Sequence, residues 1–412
     1  MAFNLSEESG EMAYEPRAIV SSKDFDFILE NIEDSKLDLD GDLRVGWYEA
    51  TKWSSKLQWK MPNDFEFQHQ KVGIIVVTNS RVVRYGKKMW CIIVDSTRKI
   101  YFSGEILGLP NNILSSVQSG PKRSISISAR FNPSGRYATL SPDTLWVLLE
   151  APGYRIWGHW IIDHFPRLYL LYKLRLIDRV KFVFFEPPPS WTNIFFEMFS
   201  ISKDQMVVVK ESCIRADQLI IPTFFREQNQ LFIEYLVEAW QFLQQKLLEK
   251  KSKESFITRI FSGNRYLKKV QKAGKRKNLR IYISRGNSKS CLKNEQAFHQ
   301  LLSRYDFFTL FPEQIDLPNT FAFLQNADMV VGEDGSGMHN VIFCRQTCDV
   351  IVINSRIRPQ TNQLRENYYQ RVMNDNLFDR SWFYTPQCEA GQVSMDIADF
   401  ERYLQKVIAE SH

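Results

Sequence analysis

Two stretches of this chain gather side chains that can do chemistry. In Trp157-Gly-His-Trp-Ile-Ile-Asp-His-Phe-Pro-Arg-Leu168, His159 and Asp163 stand four apart, with His164 and Arg167 close by. Positions four apart share one face of a helix, so this imidazole and carboxylate can take a proton from a hydroxyl, or they can bond to one another and fix the helix. The second stretch is Ala327-Asp-Met-Val-Val-Gly-Glu-Asp-Gly-Ser-Gly-Met-His-Asn-Val-Ile-Phe343. Its apolar run 329–331 ends at Gly332, and Gly335-Ser-Gly337 opens a second apolar run, which predicts a buried strand, a tight turn and a helix over 336–343. Glycines let a backbone approach a ligand closely, and the unpaired N–H groups of a helix start favour phosphate. Such turns also occur without a ligand.

Further residues join these two by position. Arg285 follows the apolar run 279–284 and can grip a diphosphate with two parallel N–H groups, or simply face water. Lys289 is a second, looser cation, and Glu313 follows the next apolar run. His159, Asp163 and His164 are metal-type donors, but no third well-placed ligand accompanies them, so no metal is expected. Asp38, Asp40, Asp42 and Glu49 resemble a calcium loop only faintly, since Leu43 stands where the turn needs glycine. Ser336 lies in Asp-Gly-Ser-Gly-Met, which lacks the Gly-x-Ser-x-Gly of a hydrolase elbow.

The elements that must position these residues alternate. After a polar lead over 1–40 with one short helix at 22–32, β-type runs occupy 72–77, 89–94, 100–102 and 144–150. A helix over 157–176 follows, then a strand at 180–185, a helix at 191–199 and strands at 206–209 and 218–221. A long one-sided helix covers 227–248. The second half repeats the alternation with strands at 279–284, 307–310, 329–331 and 349–353, helices at 294–303 and 319–326, and a terminal helix at 397–409. Strand and helix in alternation predict parallel α/β layers, the second Rossmann-like, with ligands outside the carboxyl ends of the strands. The expected division is 1–248 with a β-rich lead, a basic linker over 249–278, and 279–412.

At 412 residues the chain exceeds one ordinary core, which predicts two domains. With no apolar run near the ~20 residues of a membrane span, and an acidic opening unlike a signal or transit peptide, a cytoplasmic protein is expected. The six cysteines are scattered without a Cys-x-x-Cys pair, so neither a metal knuckle nor a disulfide framework is predicted. The net charge of +6 comes from 250–280, where twelve Lys and Arg face the single Glu254. A nucleic-acid protein would spread its cations over a binding face, so no nucleic-acid partner is expected. Phe256, Ile257, Ile260, Phe261, Leu267 and Val270 alternate with these cations, so the segment can lie on an anionic inner leaflet or form a solvated linker helix.

Three blocks in order carry a resemblance to glycosyltransferase family 61, in a bacterial form of the kind met in capsular and surface polysaccharide synthesis. They are Gly158-His-Trp-Ile-Ile-Asp-His-Phe-Pro-Arg-Leu168, then Ile281-Tyr-Ile-Ser-Arg285 with Asn294-Glu295, then Gly332 to Asn340 with Val341-Ile-Phe343. The chain departs from the family pattern at Asp334, where a histidine is usual, at Ser290 and Cys291, and at Asn319-Thr320. The resemblance implies a GT-B architecture of two Rossmann-like halves, and an inverting transfer from a nucleotide sugar, expected to be UDP-linked, to a glycan or lipid-linked glycan hydroxyl, with no cofactor or metal. It implies Asp163, assisted or replaced by His159, as the base, with His164 and Arg167 on the acceptor side. Arg285, Lys289, Glu313, Asp334, Gly335, Ser336, Gly337, Met338, His339 and Asn340 would hold the donor. The competing expectation is a catalytically inactive protein that binds a nucleotide sugar or glycan, with Asp334 as the mark of lost activity.

Overall fold

The computed structural model describes residues 44–49, 71–85, 89–94, 100–102, 137–222, 224–227, 230–231, 233–254, 265–285, 292–355, 368–389 and 392–411. The helix expected at 22–32, Lys289 and the apolar residues 256–261 lie outside them. The chain divides into two compact units, Met1–Leu236 and Val237–His412.

The first unit is built on a mixed sheet of nine strands: β1 (Arg44–Glu49), β2 (Lys71–Tyr85), β3 (Met89–Val94), β4 (Ile100–Phe102), β5 (Ala138–Thr139), β6 (Leu145–Leu148), β7 (Val180–Phe184), β8 (Met206–Val208) and β9 (Cys213–Pro222). The path runs β4-β3-β2-β9-β6-β7-β8. From β9 through β6 and β7 to β8 the pairs are parallel, whereas β2 meets β9 antiparallel. Strand β7 reads Val-Lys-Phe-Val-Phe with only Lys181 exposed, the near-continuous apolar run of a strand covered on both faces. Strand β9 is longer than the expected 218–221. Its first half alternates buried Ile214 and Ala216 with exposed Arg215 and Asp217, a period-two signal weaker than an apolar run.

After β6 the chain turns into helix by steps: a short α turn (Trp157–His159), a π turn (Trp160–His164), then α1 (Phe165–Lys173), which has Pro166 in its first turn. Pro166 has no N–H to lose there. The π turn widens the helix by one residue, with Phe165 N–H reaching Trp160 O, and such turns are frequent at functional sites. Trp160 is fully buried and stacks on Phe195 of α2 (Asn193–Met198) at 5.4 Å between ring centroids.

The hairpin β10 (Arg226–Glu227) and β11 (Gln230–Leu231) leads to α3 (Ile233–Glu254), whose buried Leu236, Ala239, Trp240, Leu243 and Leu247 form one stripe. The unit boundary falls inside this helix. Next comes α4 (Arg265–Ala273), with Leu267, Val270 and Ala273 buried and its cations outward, so the apolar face of this part of the basic segment packs inside the protein. Among the described residues no helix is long and apolar enough to cross a membrane.

The second unit holds β12 (Leu279–Ile283), β13 (Phe307–Leu310), β14 (Ala327–Glu333), β15 (Asp349–Ile353) and β16 (Ser381–Tyr384) in a sheet ordered β13-β12-β14-β15-β16. All four pairings are parallel. Helices α5 (Glu295–Arg304), α6 (Leu317–Leu324), α7 (Tyr368–Leu377) and α8 (Ile397–Glu410) complete it, with a small hairpin of β17 (Gln387–Glu389) and β18 (Gln392–Ser394). Helix α5 packs on α8. This is the doubly wound order in which the chain reverses direction between β12 and β14, and ligands bind at that switch point. Asp316 caps α6 by accepting Asn319 N–H at 2.8 Å, which starts the helix two residues earlier than expected. The stretch after β14 is not an α-helix over 336–343 but a 3-10 helix from Met338 to Phe343. Asn340 donates its side-chain N–H to Gly337 O at 2.8 Å, a local bond that competes with regular helix.

Candidate functional site

In the first unit the site residues stand where β6 gives way to helix. His159 Nδ1 lies 2.6 Å from Asp163 Oδ2; the histidine side chain is 39% exposed and the aspartate 1%. A buried carboxylate accepting from Nδ1 fixes the tautomer and leaves Nε2 as the basic nitrogen. Gly153 (φ +83°) lies beneath the ring.

The other two residues expected there point inward. Arg167 is fully buried, its guanidinium donating to Pro222 O and Leu149 O at 2.7 Å each and to Leu148 O at 3.2 Å. Burial pulls its pKa down to about 9 against the opposing pull of Asp163, so it is still a cation at neutral pH. His164 is also fully buried, between Trp160, Phe224 and Tyr154. Arg167 thereby joins the end of β6 to the end of β9.

Beside them is a carboxylate that spacing did not single out. Glu150, two residues past β6 and 3% exposed, accepts Phe185 N–H at 2.7 Å and Glu186 N–H at 3.2 Å. Burial raises its pKa, opposed by those two bonds and by Arg84. Glu186 pairs with Arg84 and, at 3.5 Å, with Arg155. A signal for both existed: each is a carboxylate placed directly beyond an apolar strand.

In the second unit most of the described residues expected to hold the donor follow β12 and β14, the two strands at the switch point. Ser284, at the end of β12, is buried and bonds through its N–H to Leu310 O at 2.9 Å, and half-buried Arg285 follows. At the end of β14, Glu333 and Asp334 are buried, and Asp334 N–H reaches Ile353 O at 2.8 Å. Gly335 adopts φ 154°, Ser336 and Gly337 are half-buried, and Met338 N–H closes the turn on Gly335 O at 2.9 Å. Met338 is fully buried beneath Gly332, where a Cβ would meet its sulfur. His339 is half-buried, and Asn340 is buried as the side-chain tie of the turn. Glu313 is exposed beyond β13, beside Tyr266, whose phenol burial pushes up to about 12.

Pattern reading does not single out several further buried polar residues of this unit. Asn354 and Ser355 follow β15 as Asp334 follows β14, and Tyr282 of β12 is fully buried with burial raising its phenol pKa. Gln370 and Asn374, one turn apart on α7, are fully buried and joined at 2.8 Å. Among the described residues no three His, Cys, Asp or Glu side chains are grouped as a metal site requires.

Residues 157–351 match the family model described as Glycosyltransferase 61, a span that opens at the helix turn carrying His159 and closes within β15. This span belongs to glycosyltransferase family 61. The family makes the chain a glycosyltransferase. The matched residues hold both the His159–Asp163 pair and the switch-point turn, so the two edges described above are parts of the family region. No curated protein matches the chain.

Proposed function

We propose that this glycosyltransferase is an inverting enzyme of GT-B type, in which the second unit binds a nucleotide-sugar donor and the first binds the acceptor. The observation that carries the reading is the exposed imidazole of His159 held through Nδ1 by a buried carboxylate. Asp163 is closed to solvent and cannot itself meet a hydroxyl, so His159 Nε2 is the atom that takes the acceptor proton and Asp163 stabilises the resulting imidazolium. The acceptor oxygen bonds to the sugar's anomeric carbon as the bond to the diphosphate breaks, and the nucleoside diphosphate leaves with the electron pair. Its charge is met by Arg285, by Lys289 four residues further along the sequence, and by N–H groups of the Gly335-Ser-Gly337 turn. No cofactor is needed for this displacement.

The acceptor is a glycan or lipid-linked glycan hydroxyl of surface or capsular polysaccharide synthesis, and the donor is UDP-linked. These two are expectations that the family resemblance supports. The outward cations of α4 support contact with an anionic inner leaflet by charge alone, because the helix's apolar face is already packed.

A panel of nucleotide sugars, screened by thermal shift and then by transfer and hydrolysis, tests the reading. With the donor found, His159→Gln is expected to lower kcat by about 10²–10⁴-fold with little change in donor affinity. Arg285→Ala should weaken nucleoside diphosphate binding at least tenfold, as befits a charge-assisted contact. A His159→Gln enzyme within threefold of wild type removes the base assignment. Donor binding without any turnover returns the chain to the binding-only reading.

A further inference from the structure

We propose that Gly153 is a positioning residue for His159: its bare backbone is the plate against which the imidazole lies while Nδ1 is bound to Asp163. The proposal rests on the base role given to His159, and its test separates the two.

Gly153 has φ +83°, a conformation that side-chain-bearing residues rarely adopt. A Cβ at this position would stand 2.5 Å from Cγ, 2.6 Å from Cδ2 and 2.9 Å from Nδ1 of His159, well inside van der Waals contact. All three atoms belong to the ring. The imidazole is thus confined by the glycine backbone and, through Nδ1, by the carboxylate 2.6 Å away. What is left open is the remainder of the ring, consistent with 39% exposure of the side chain.

The plate itself is held. Ile156 N–H bonds to Gly153 O at 2.8 Å and Tyr154 N–H to Ala151 O at 3.1 Å, closing the loop on itself. The Tyr154 hydroxyl lies 2.7 Å from both Glu186 O and Pro187 O, so it donates to the segment that follows β7. Trp160, fixed in the aromatic core, donates its indole N–H to Tyr154 O. Glu150, at the start of the loop, accepts Phe185 and Glu186 N–H. With loop and helix both anchored, an added methyl displaces the ring rather than the backbone. A ring moved by about 1 Å loses the Asp163 bond and misplaces Nε2, an error that can cost ~10²-fold in rate.

The bland account is that Gly153 serves only its turn. Asparagine tolerates left-handed backbone yet carries a Cβ, so it separates the two explanations. Gly153→Ala and Gly153→Asn are compared with His159→Gln and with the Gly153→Ala/His159→Gln double variant. The readouts are kcat, KM and the pH-rate profile of sugar transfer, melting temperature, and the nitrogen-15 and Nδ1-proton signals of His159 by NMR. Both glycine variants are expected to lose about 10²-fold in kcat with donor KM within a few fold. They should shift the pH-rate profile, change the His159 Nδ1 signal, and in the double variant add nothing to the loss from His159→Gln. Three results overturn the proposal: an unchanged His159 signal in Gly153→Ala, losses that multiply in the double variant, or a Gly153→Asn enzyme as fast as wild type. If His159→Gln is itself as active as wild type while Gly153→Ala still alters the His159 signal, the base assignment fails and the positioning contact stands.

Discussion

Replacing Arg167 by methionine separates a structural role from an acceptor-side one. The guanidinium is wholly buried and donates to three carbonyl oxygens, two at 2.7 Å and one at 3.2 Å. A hydrogen bond from a charged donor is worth about 1.5–3 kcal/mol, so two good bonds and a weaker one represent roughly 4–7 kcal/mol. Against this stands the desolvation that methionine no longer incurs, a cost of several kcal/mol per buried ion. Removing one member of a buried polar set while the others stay behind nets a loss of about 3–5 kcal/mol, because Leu148, Leu149 and Pro222 are left with unsatisfied oxygens. In a unit of this size that lowers the melting temperature by about 10 °C. Urea unfolding followed by tryptophan fluorescence measures it, since Trp146 and Trp160 are buried in the same unit. Arg167→Lys should lose most of the same stability, because one ammonium cannot span three separate carbonyls as a planar fork does. A loss under about 1 kcal/mol, with acceptor KM raised instead, would refute the reasoning and place Arg167 at the acceptor.

Asp163→Asn should lower kcat by about 10²-fold or more while donor affinity holds, because an amide presents either tautomer of His159 with equal ease; unchanged kcat would show that the carboxylate does not orient the ring. Burial raises the Glu150 pKa above its unfolded value, so the folded state binds the extra proton. The sign follows: Glu150 favours folding below pH 4.5, and that contribution fades as pH rises through the raised folded pKa. Glu150→Gln should therefore flatten the stability–pH curve across that window without loss of stability at neutral pH, as read by denaturation at a series of pH values; a curve as steep as wild type contradicts this. Gly332→Ala places a methyl against Met338 Sδ and 3.2 Å from Ile283 O, which should destabilise by about 1–3 kcal/mol. Adding Met338→Ala should recover part of that loss, and full additivity of the two losses would show that they do not meet.

The strands that hold the site are readable because parallel strands covered on both faces are near-continuous apolar runs. Val180–Phe184 and Asp349–Ile353 were placed within a residue on that basis. Helix α7 was not expected at all. Its buried face is Gln370, Met373 and Asn374, so the apolar stripe that identifies a helix is replaced by amides. The pairing of β12 with both β13 and β14, which creates the switch point, joins residues tens of positions apart and leaves no local trace. The site divides in the same way. Spacing alone brought His159 and Asp163 to one helical face, but which is exposed and which is buried depends on the loop at Gly153 and the core around Trp160. Arg167 and His164 share the motif with them and differ only in direction. Direction is a property of packing.

Asp334 is the position where chemistry and family pattern diverge, and its burial gives the sign of a test. An exposed carboxylate beside a diphosphate would repel it, and asparagine there would tighten binding. Asp334 is fully buried, with its N–H bonded to Ile353 O, at the base of the Gly335-Ser-Gly337 turn proposed to hold the diphosphate. Buried polar groups are as a rule hydrogen-bonded, so the Asp334 carboxyl is expected to order the turn, and an amide that offers one acceptor oxygen instead of two would order it less well. Asp334→Asn is therefore expected to weaken UDP binding about three- to tenfold, the effect of losing about 1 kcal/mol of loop order. Titration calorimetry with UDP at two salt concentrations reads it. Screening distinguishes the mechanisms further: repulsion from an exposed charge would shrink as salt rises, whereas a loosened turn weakens binding at both concentrations. Tighter UDP binding by the asparagine variant, most marked at low salt, would show that the carboxylate faces the phosphate and that the turn is held by its backbone alone.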